Sequence, residues 1–246
     1  MTETFNSPWH TPQTSSENDF VGEVLLRLNA KDVIQQCGVL AQDLCRGPAG
    51  PSAHVPEIKI QGHLEATFPY VLSHLEYIVG ELLRNSVQAV MDRHQHTNNK
   101  PPPIEVLICE APQHVVIRIS DQGGGIPRDI LPYLWSFNKG PRSALRLRNF
   151  EKVPAMAATT QELLTSLPTR SDGARIRDSS LSALASRQPD LRLGMGLPMS
   201  KVYAEYWAGG LELHSLEGYG VDAFLQISKI GNQNEQLATR ASIDAV

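Results

Sequence analysis

The sequence is short of cysteine, of positive charge and of long hydrophobic runs. Its three cysteines, Cys37, Cys45 and Cys109, form no CxxC pair, and their wide separation favours reduced structural thiols over a zinc site. A formal net charge of -4 gives no basis for general binding to nucleic acid or to an anionic membrane. No apolar stretch approaches the roughly 20 residues that a transmembrane helix needs. With 41% hydrophobic residues in 246, the chain can nevertheless bury a sizeable core.

The N-terminal stretch MTETFNSPWHTPQTSSENDF is polar and contains no Lys or Arg, and the first such residue in the chain is Arg27. Neither a secretory signal nor an Arg-rich mitochondrial presequence has this composition. We therefore expect residues 1–18 to form a disordered lead. At the other end, we expect residues 233–246 to form a polar tail.

The hydrophobic pattern predicts an α+β fold, a two-layer sandwich of helices and sheet. Residues 19–45 have the apolar spacing of helical material, and Gly-Pro-Ala-Gly-Pro at 47–51 ends it. The clearest helix is SHLEYIVGELLRNSVQAVMDRH at 73–94, with Ser73 as N-cap and Glu76 completing a capping box. Strands are predicted at Ile58–Ile60, Ile104–Cys109, Val115–Ser120, Leu211–Ser215 and Asp222–Ile227, and a short helix at Ile130–Phe137.

A different composition follows between about residues 141 and 190, where Ser, Arg, Ala and Thr dominate and the periodicity is weak. So long an irregular segment inside a compact domain is usually a functional lid or an insertion. We expect a flexible lid insertion at 141–190.

Three polar residues of the long helix, Glu81, Asn85 and Gln88, are spaced by four and then three positions. At 3.6 residues per turn they form one stripe, which Tyr77 extends toward the N-terminus. A carboxylate and an amide oxygen one turn apart suit Mg²⁺ and a proton acceptor. An exposed face of an ordinary amphipathic helix is the alternative. The apolar residues expected to pack on the sheet are Leu75, Ile78, Val79, Leu82, Ala89 and Val90.

Two glycine loops accompany this helix. In VVIRISDQGGGIP at 115–127, a β-branched run ends in Asp121 and three glycines follow, so a ligand could approach the main chain closely. In GMGLP at 194–198, glycines precede a helix, whose first amides favour an anion. No GK[ST] follows, and no strand leads directly into GxGxxG, which excludes a Walker loop and a Rossmann fingerprint. Taken singly, a tight turn and a flexible helix entry are the alternatives.

The order of these motifs carries a resemblance. SHLEYIVGELLRNSVQA, ISDQGGGIP, LWSFNKG and GMGLPMSKVYAEYWAGGLELHSLEGYGVDAFLQI resemble the GHKL (Bergerat) ATP-binding domain of gyrase, heat-shock chaperones, histidine kinases and mismatch-repair ATPases. They are most similar to the mitochondrial kinases of pyruvate dehydrogenase and branched-chain 2-oxoacid dehydrogenase. The resemblance implies a GHKL kinase domain over residues 19–232, with 141–190 as an unmatched insertion.

The resemblance also implies roles for single residues. Glu81 corresponds to the residue that orients or deprotonates the acceptor serine, and Asn85 to the Mg²⁺ ligand. Asp121 corresponds to the carboxylate that accepts a hydrogen bond from the adenine amino group. Tyr77 and Val221 depart from the family pattern, which has histidine and threonine there. The other implied nucleotide-binding residues are Gln88, Gly123, Gly125, Ile126, Gly194, Met195, Gly196 and Leu197.

The function implied is a Mg-ATP-dependent protein serine kinase that phosphorylates a 2-oxoacid dehydrogenase subunit, down-regulates the complex and resides in the mitochondrial matrix. The family implies a homodimer and requires neither nucleic acid nor membrane insertion. The choice between pyruvate and branched-chain dehydrogenase stays open. The resemblance further predicts a chain without the family's N-terminal helical bundle. A catalytically impaired ATP-binding regulatory or dimerisation module of the same family is therefore the alternative.

Overall fold

The computed structural model describes residues 20–21, 24–49, 54–95, 100–137, 139–141, 143–144 and 194–230. The predictions for 1–18, for 233–246 and for nearly all of 141–190 lie outside these residues. Three helices are described, α1 (Ala30–Ala49), α2 (Leu72–His94) and α3 (Gly196–Tyr206), with a single 3₁₀ turn at Leu131–Tyr133. The strands are β1 (Phe20–Val21), β2 (Val24–Asn29), β3 (Ile58–Gly62), β4 (Thr67–Val71), β5 (Ile104–Glu110), β6 (His114–Asp121), β7 (Gly210–Leu216) and β8 (Gly220–Ser228).

The main sheet has five strands in the order β3-β5-β6-β8-β7. β3 and β5 run parallel, and the other neighbours are antiparallel. A second sheet of order β1-β2-β4 lies at the N-terminal side of the chain. Helices with a mixed sheet confirm the α+β fold.

β6 shows how the sheet positions the rest of the fold. Val115, Ile117 and Ile119 are almost fully buried, whereas the residues between them are half-buried, so one face of the sheet packs on the helices. α2 contacts β6, α1 and α3, and it is buried on several sides because it lies between these elements. The alternation ends at Asp121, which therefore points to the same side as the core residues.

The helical prediction for residues 19–45 is wrong over residues 20–21 and 24–29, which form β1 and β2. β2 pairs antiparallel with β4, and the register shifts between Leu25 and Leu28. A register shift of this kind, as at a β-bulge, interrupts the two-residue alternation of a strand. Because of this shift, Leu25 and Leu28 both pack against the core although they are three positions apart in the sequence. A spacing of three between apolar residues is typical of a helix. The helix begins only at Ala30.

The predicted N-cap is also wrong. α2 begins at Leu72, directly after β4, and Val71 precedes it with extended φ/ψ of -78° and 111° and no side-chain cap. Ser73 therefore lies inside the first turn, and Glu76 is buried. The sequence did not predict β4 because Pro69 interrupts the apolar run. Of the helix expected at Ile130–Phe137, only the 3₁₀ turn forms.

Candidate active site

A cavity of about 910 Å³ lies between α2, the end of β6, the loop after it and the start of α3. This volume is within the range of about 300–1,000 Å³ found for small-molecule sites. All eleven site residues named from the sequence line it, which brings together segments far apart in the chain. These are Glu81, Asn85, Gln88, Asp121, Gly123, Gly125, Ile126, Gly194, Met195, Gly196 and Leu197.

The polar stripe of α2 faces this cavity. Glu81 is 1% exposed, whereas Asn85 is exposed and Gln88 is half-buried. Tyr77 continues the stripe and meets Tyr203 of α3 edge to face, with ring centroids 5.3 Å apart. An ordinary solvated helix face would not bury a carboxylate so completely. The stripe therefore belongs to a concave site.

Two hydrogen bonds hold the Asp121 carboxylate in place at the end of β6. Its Oδ2 accepts a hydrogen bond from the Ser86 hydroxyl at 2.9 Å, and its Oδ1 accepts one from the Gly123 amide at 2.9 Å. Only 6% of the residue is exposed. A carboxylate oxygen can accept more than one hydrogen bond, so both oxygens keep capacity for a ligand donor.

Burial raises the pKa of Asp121 above its usual value, although the hydrogen bonds from Gly123, Ser86 and Val221 oppose the shift. Desolvation disfavours the charged form of a carboxyl group. Asp121 therefore ends the strand as a desolvated acceptor, in contrast to the solvated aspartate of a simple turn.

The glycine loop 123–125 is packed against protein, which the sequence alone did not reveal. A Cβ on Gly123 would lie 2.5 Å from the Cβ of Ala89. Gly125 has φ of +76°, and a Cβ there would lie 2.4 Å from the carbonyl oxygen of Leu216. The close approach of α2 and of the β7–β8 hairpin thus requires these glycines. Ala89, predicted to face the sheet, contacts this loop and lines the cavity.

The second glycine loop brings the start of α3 against the catalytic candidate on α2. A Cβ on Gly196 would lie 2.2 Å from Glu81 Oε2, so only glycine fits beside that carboxylate. Met195 precedes the helix, and no side chain caps the first turn. The first amides of a helix carry partial positive charge, and Gly196 is among the residues that line the cavity.

Sequence reasoning missed three residues at the site. Ser86 holds Asp121, as described above. Arg84 lines the cavity and donates to Glu81 Oε2 at 2.7 Å. Arg93 donates to three backbone carbonyls, those of Gln122, Tyr219 and Gly218. The helical spacing could have revealed Arg84, because Arg84 follows Glu81 by three residues and precedes Gln88 by four. The contacts of Ser86 and Arg93 join residues that are far apart in the sequence, so no local pattern indicates them.

Residues 71–229, from the start of α2 to the end of the sheet, match the model of the histidine kinase-, DNA gyrase B- and HSP90-like ATPases. The chain belongs to this GHKL ATPase family. Both glycine loops, the stripe of α2 and Asp121 lie within the matched residues. Ser86, Arg84 and Arg93 do as well.

Mitochondrial kinases are similar to most of the chain. The pyruvate dehydrogenase (acetyl-transferring) kinase of Arabidopsis thaliana is 30% identical over 94% of this chain and 52% of its own length. Kinase 2 of Saccharomyces cerevisiae is 30% identical, with 90% and 51% covered. The Drosophila melanogaster kinase is 32% identical, with 74% and 38% covered. This GHKL chain thus spans about half the length of the first two relatives.

The residues present fit the nucleotide that the GHKL family implies. The cavity has an apolar wall, with Ile126, Leu213 and Ala223, beside the buried Asp121 acceptor. Among the described residues, no group of three or more His, Cys, Asp or Glu side chains could hold a metal ion. Mg²⁺ is usually held by one or two protein ligands together with substrate phosphates and water.

A buried thiol lies beside the site. Burial raises the pKa of the Cys45 thiol, which lines the cavity, to about 11, so this thiol is neutral at neutral pH. Within the described parts of the chain, no helix is both long enough and apolar enough to cross a membrane.

Proposed function

We propose that the protein is a Mg-ATP-dependent protein serine kinase that phosphorylates a subunit of a 2-oxoacid dehydrogenase complex in the mitochondrial matrix and lowers its activity. One observation carries the proposal: Asp121, the Glu81–Asn85 stripe and the glycine entry of α3 line one cavity. Relatives similar over most of the chain are named mitochondrial pyruvate dehydrogenase kinases, which favours pyruvate dehydrogenase over the branched-chain enzyme as target.

Adenine recognition is assigned to Asp121. Its buried carboxylate accepts a hydrogen bond from the adenine amino group, while Ser86 and Gly123 keep the oxygens in place. In a desolvated site such a charge-assisted hydrogen bond is stronger than in water. Ile126 and the backbone of Gly123 and Gly125 supply the surface beside the base.

Phosphate binding is assigned to the start of α3 and to the exposed end of the α2 stripe. The backbone of Gly194, Met195, Gly196 and Leu197 offers amides to the phosphates. Asn85 offers an amide oxygen to Mg²⁺, which when bound neutralises charge on the phosphates. Gln88 lines the same wall, and its amide donates to Asp92 at 2.6 Å.

Proton transfer is assigned to Glu81. The serine hydroxyl oxygen of the target forms a bond to the γ-phosphorus, and the bond from that phosphorus to the β,γ-bridging oxygen breaks. The proton of the hydroxyl goes to the Glu81 carboxylate, and ADP leaves. Because positioning supplies most of the rate in phosphoryl transfer, the buried setting of Glu81 against Gly196 serves to orient the acceptor.

The test is a transfer assay with purified protein, Mg²⁺, γ-labelled ATP and pyruvate dehydrogenase complex, with branched-chain complex in parallel. We expect label on a serine of the pyruvate dehydrogenase complex and loss of complex activity. Glu81→Gln should abolish the label. Glu57→Gln is the matched control, because Glu57 is exposed and pairs with exposed Lys100 away from the cavity.

Two outcomes would contradict the proposal. The first is tight ATP binding with no serine label on either complex, which would instead support an ATP-binding regulatory module. The second is label that persists in Glu81→Gln at the rate of Glu57→Gln. Label on the branched-chain complex alone would overturn the choice of target and leave the kinase assignment in place.

Homodimerisation is part of the same proposal. On the sheet face opposite α2, Leu107, Val116 and Phe224 are half-buried, and Arg118 lies between Leu107 and Phe224 in the strand register. A second copy would cover these apolar groups. Phe224→Glu should convert a dimer into a monomer in sedimentation velocity, and a wild-type protein that is monomeric at high micromolar concentration would refute this part.

A further inference from the structure

The cavity holds little positive charge for a site that would receive a triphosphate. Among the described residues that line it, Arg84 and Arg93 are the permanent cations. The guanidinium of Arg93 donates to the carbonyls of Gln122, Tyr219 and Gly218 at 2.7–3.2 Å. Arg93 thereby fastens the β7–β8 turn to α2. Arg84 is the remaining candidate for a phosphate contact.

Arg84 is placed for such a contact but is engaged elsewhere. Its Nη2 lies 2.7 Å from Glu81 Oε2, and the two side chains are 19% and 1% exposed. Within the described part of the chain, its buried Nε has no hydrogen-bond partner. A guanidinium has five N–H donors in a fixed planar fork. Arg84 therefore retains donor capacity beyond its bond to Glu81.

The pairing conflicts with the proposed role of Glu81. The guanidinium of Arg84 occupies one of the positions at which a serine hydroxyl would approach Glu81 Oε2, so the two donors compete for this oxygen. The same Oε2 faces the backbone of Gly196, where a Cβ would lie 2.2 Å away. Both groups that would meet a terminal phosphate, Arg84 and the start of α3, thus converge on this oxygen. A phosphate entering there competes directly with the carboxylate for Arg84.

We propose that Arg84 binds the terminal phosphate of the nucleotide by exchanging its Glu81 partner for it, and that this exchange frees Glu81 Oε2 as proton acceptor. The inference rests on the proposed ATP-binding function of the same cavity. Guanidinium binds phosphate in a bidentate manner, which matches the planar fork better than the single bond to Glu81. The kinase would then hold its base occupied until nucleotide is present.

The exchange predicts effects of opposite sign at two neighbouring residues. Glu81→Gln removes the competing charge, so ATP should bind more tightly although transfer is lost. Arg84→Met removes the phosphate contact, so ATP should bind more weakly, while adenosine, which has no phosphate, should bind equally well. Arg84→Lys keeps the positive charge without the planar guanidinium, so its ATP affinity should lie between those of wild type and Arg84→Met.

The experiment is titration calorimetry of the full chain with Mg-ATP and with adenosine. For ATP we expect Kd to fall several-fold in Glu81→Gln and to rise about tenfold or more in Arg84→Met, the scale of one charge-assisted hydrogen bond. In the double variant the gain from Glu81→Gln should vanish, because the two residues are coupled. Arg128→Met is the control, since Arg128 is 89% exposed and does not line the cavity.

The outcomes separate this inference from the proposed function. Wild-type protein that binds neither ATP nor adenosine would overturn both. If wild type binds both but Glu81→Gln fails to tighten ATP binding, or Arg84→Met weakens adenosine as much as ATP, the exchange is wrong and the nucleotide site stands. If Arg84→Met does not fold, as judged by circular dichroism, Arg84→Lys and Glu81→Gln decide the question by the same criteria.

Discussion

Replacement of Asp121 by asparagine isolates the adenine contact with little change of shape. The asparagine oxygen can still accept the hydrogen bond from the Gly123 amide, which in the wild type lies 2.9 Å from Asp121 Oδ1. Its NH₂ group takes the place of Oδ2, and the Ser86 hydroxyl can rotate to accept from it. Toward adenine, however, a donor replaces an acceptor and meets the adenine amino group. We therefore expect a folded protein with impaired ATP binding.

The magnitude follows from the type of bond that is lost. A hydrogen bond to a charged group contributes about 1.5–3 kcal/mol, and each 1.4 kcal/mol is tenfold in Kd. ATP affinity should thus fall about ten- to hundredfold in Asp121→Asn. Inosine triphosphate has a carbonyl oxygen in place of the amino group. Its affinity should not fall in Asp121→Asn, so the variant should prefer it over ATP more than the wild type does.

The assay is competition of the two nucleotides at fixed Mg²⁺, with thermal unfolding to verify the fold. Asp43→Asn is the isosteric control, because Asp43 lies on α1, is 61% exposed and pairs with Arg46. An Asp121→Asn protein that is folded and binds ATP as tightly as Asp43→Asn would refute the adenine assignment. An unchanged preference for ATP over inosine triphosphate would refute it equally.

Three further predictions concern the base, the titration of the site and the core. Gly196→Ala places a Cβ 2.2 Å from Glu81 Oε2 and should lower kcat about 100-fold, the scale of a 1 Å misplacement; an unchanged single-turnover rate would contradict it. Burial raises the pKa of Asp121. As pH falls through that raised value, ATP affinity should therefore drop, whereas this group's contribution to folding stability should rise until about pH 3.9, the unfolded value. Calorimetry and urea unfolding of wild type and Asp121→Asn across pH would test both, and identical profiles would contradict them. Ile117→Ala, at 0% exposure, should cost about 2–5 kcal/mol of unfolding free energy in urea denaturation, against at most about 0.5 for exposed Val39→Ala; equal losses would be inconsistent with the core described.

The sequence predicted the elements whose patterns are locally complete. β5, β6 and β8 have β-branched alternation, and α2 has a long apolar period, so each appeared within one or two residues of its observed bounds. β2 was not predicted, because the register shift between Leu25 and Leu28 gives its apolar residues a spacing typical of a helix. β4 was not predicted, because five residues containing a proline carry too weak a pattern.

The site shows the same division. The stripe of α2 and the two glycine loops could be predicted because helical spacing and glycine runs are local signals. The partners that hold them could not, since Ser86 meets Asp121 across 35 residues and Arg93 meets Gly218 across 125. The reason for glycine at 123 was likewise hidden, because the neighbour that excludes a side chain, Ala89, lies on another element.

The central claim is that this cavity takes up Mg-ATP through Asp121. Its most direct measurement is titration of the pure, folded chain with ATP and Mg²⁺ by calorimetry. We predict saturable binding with one nucleotide per chain, weakened at least tenfold by Asp121→Asn. Absence of any heat of binding at millimolar ATP, with the fold verified in the same sample, would contradict the account.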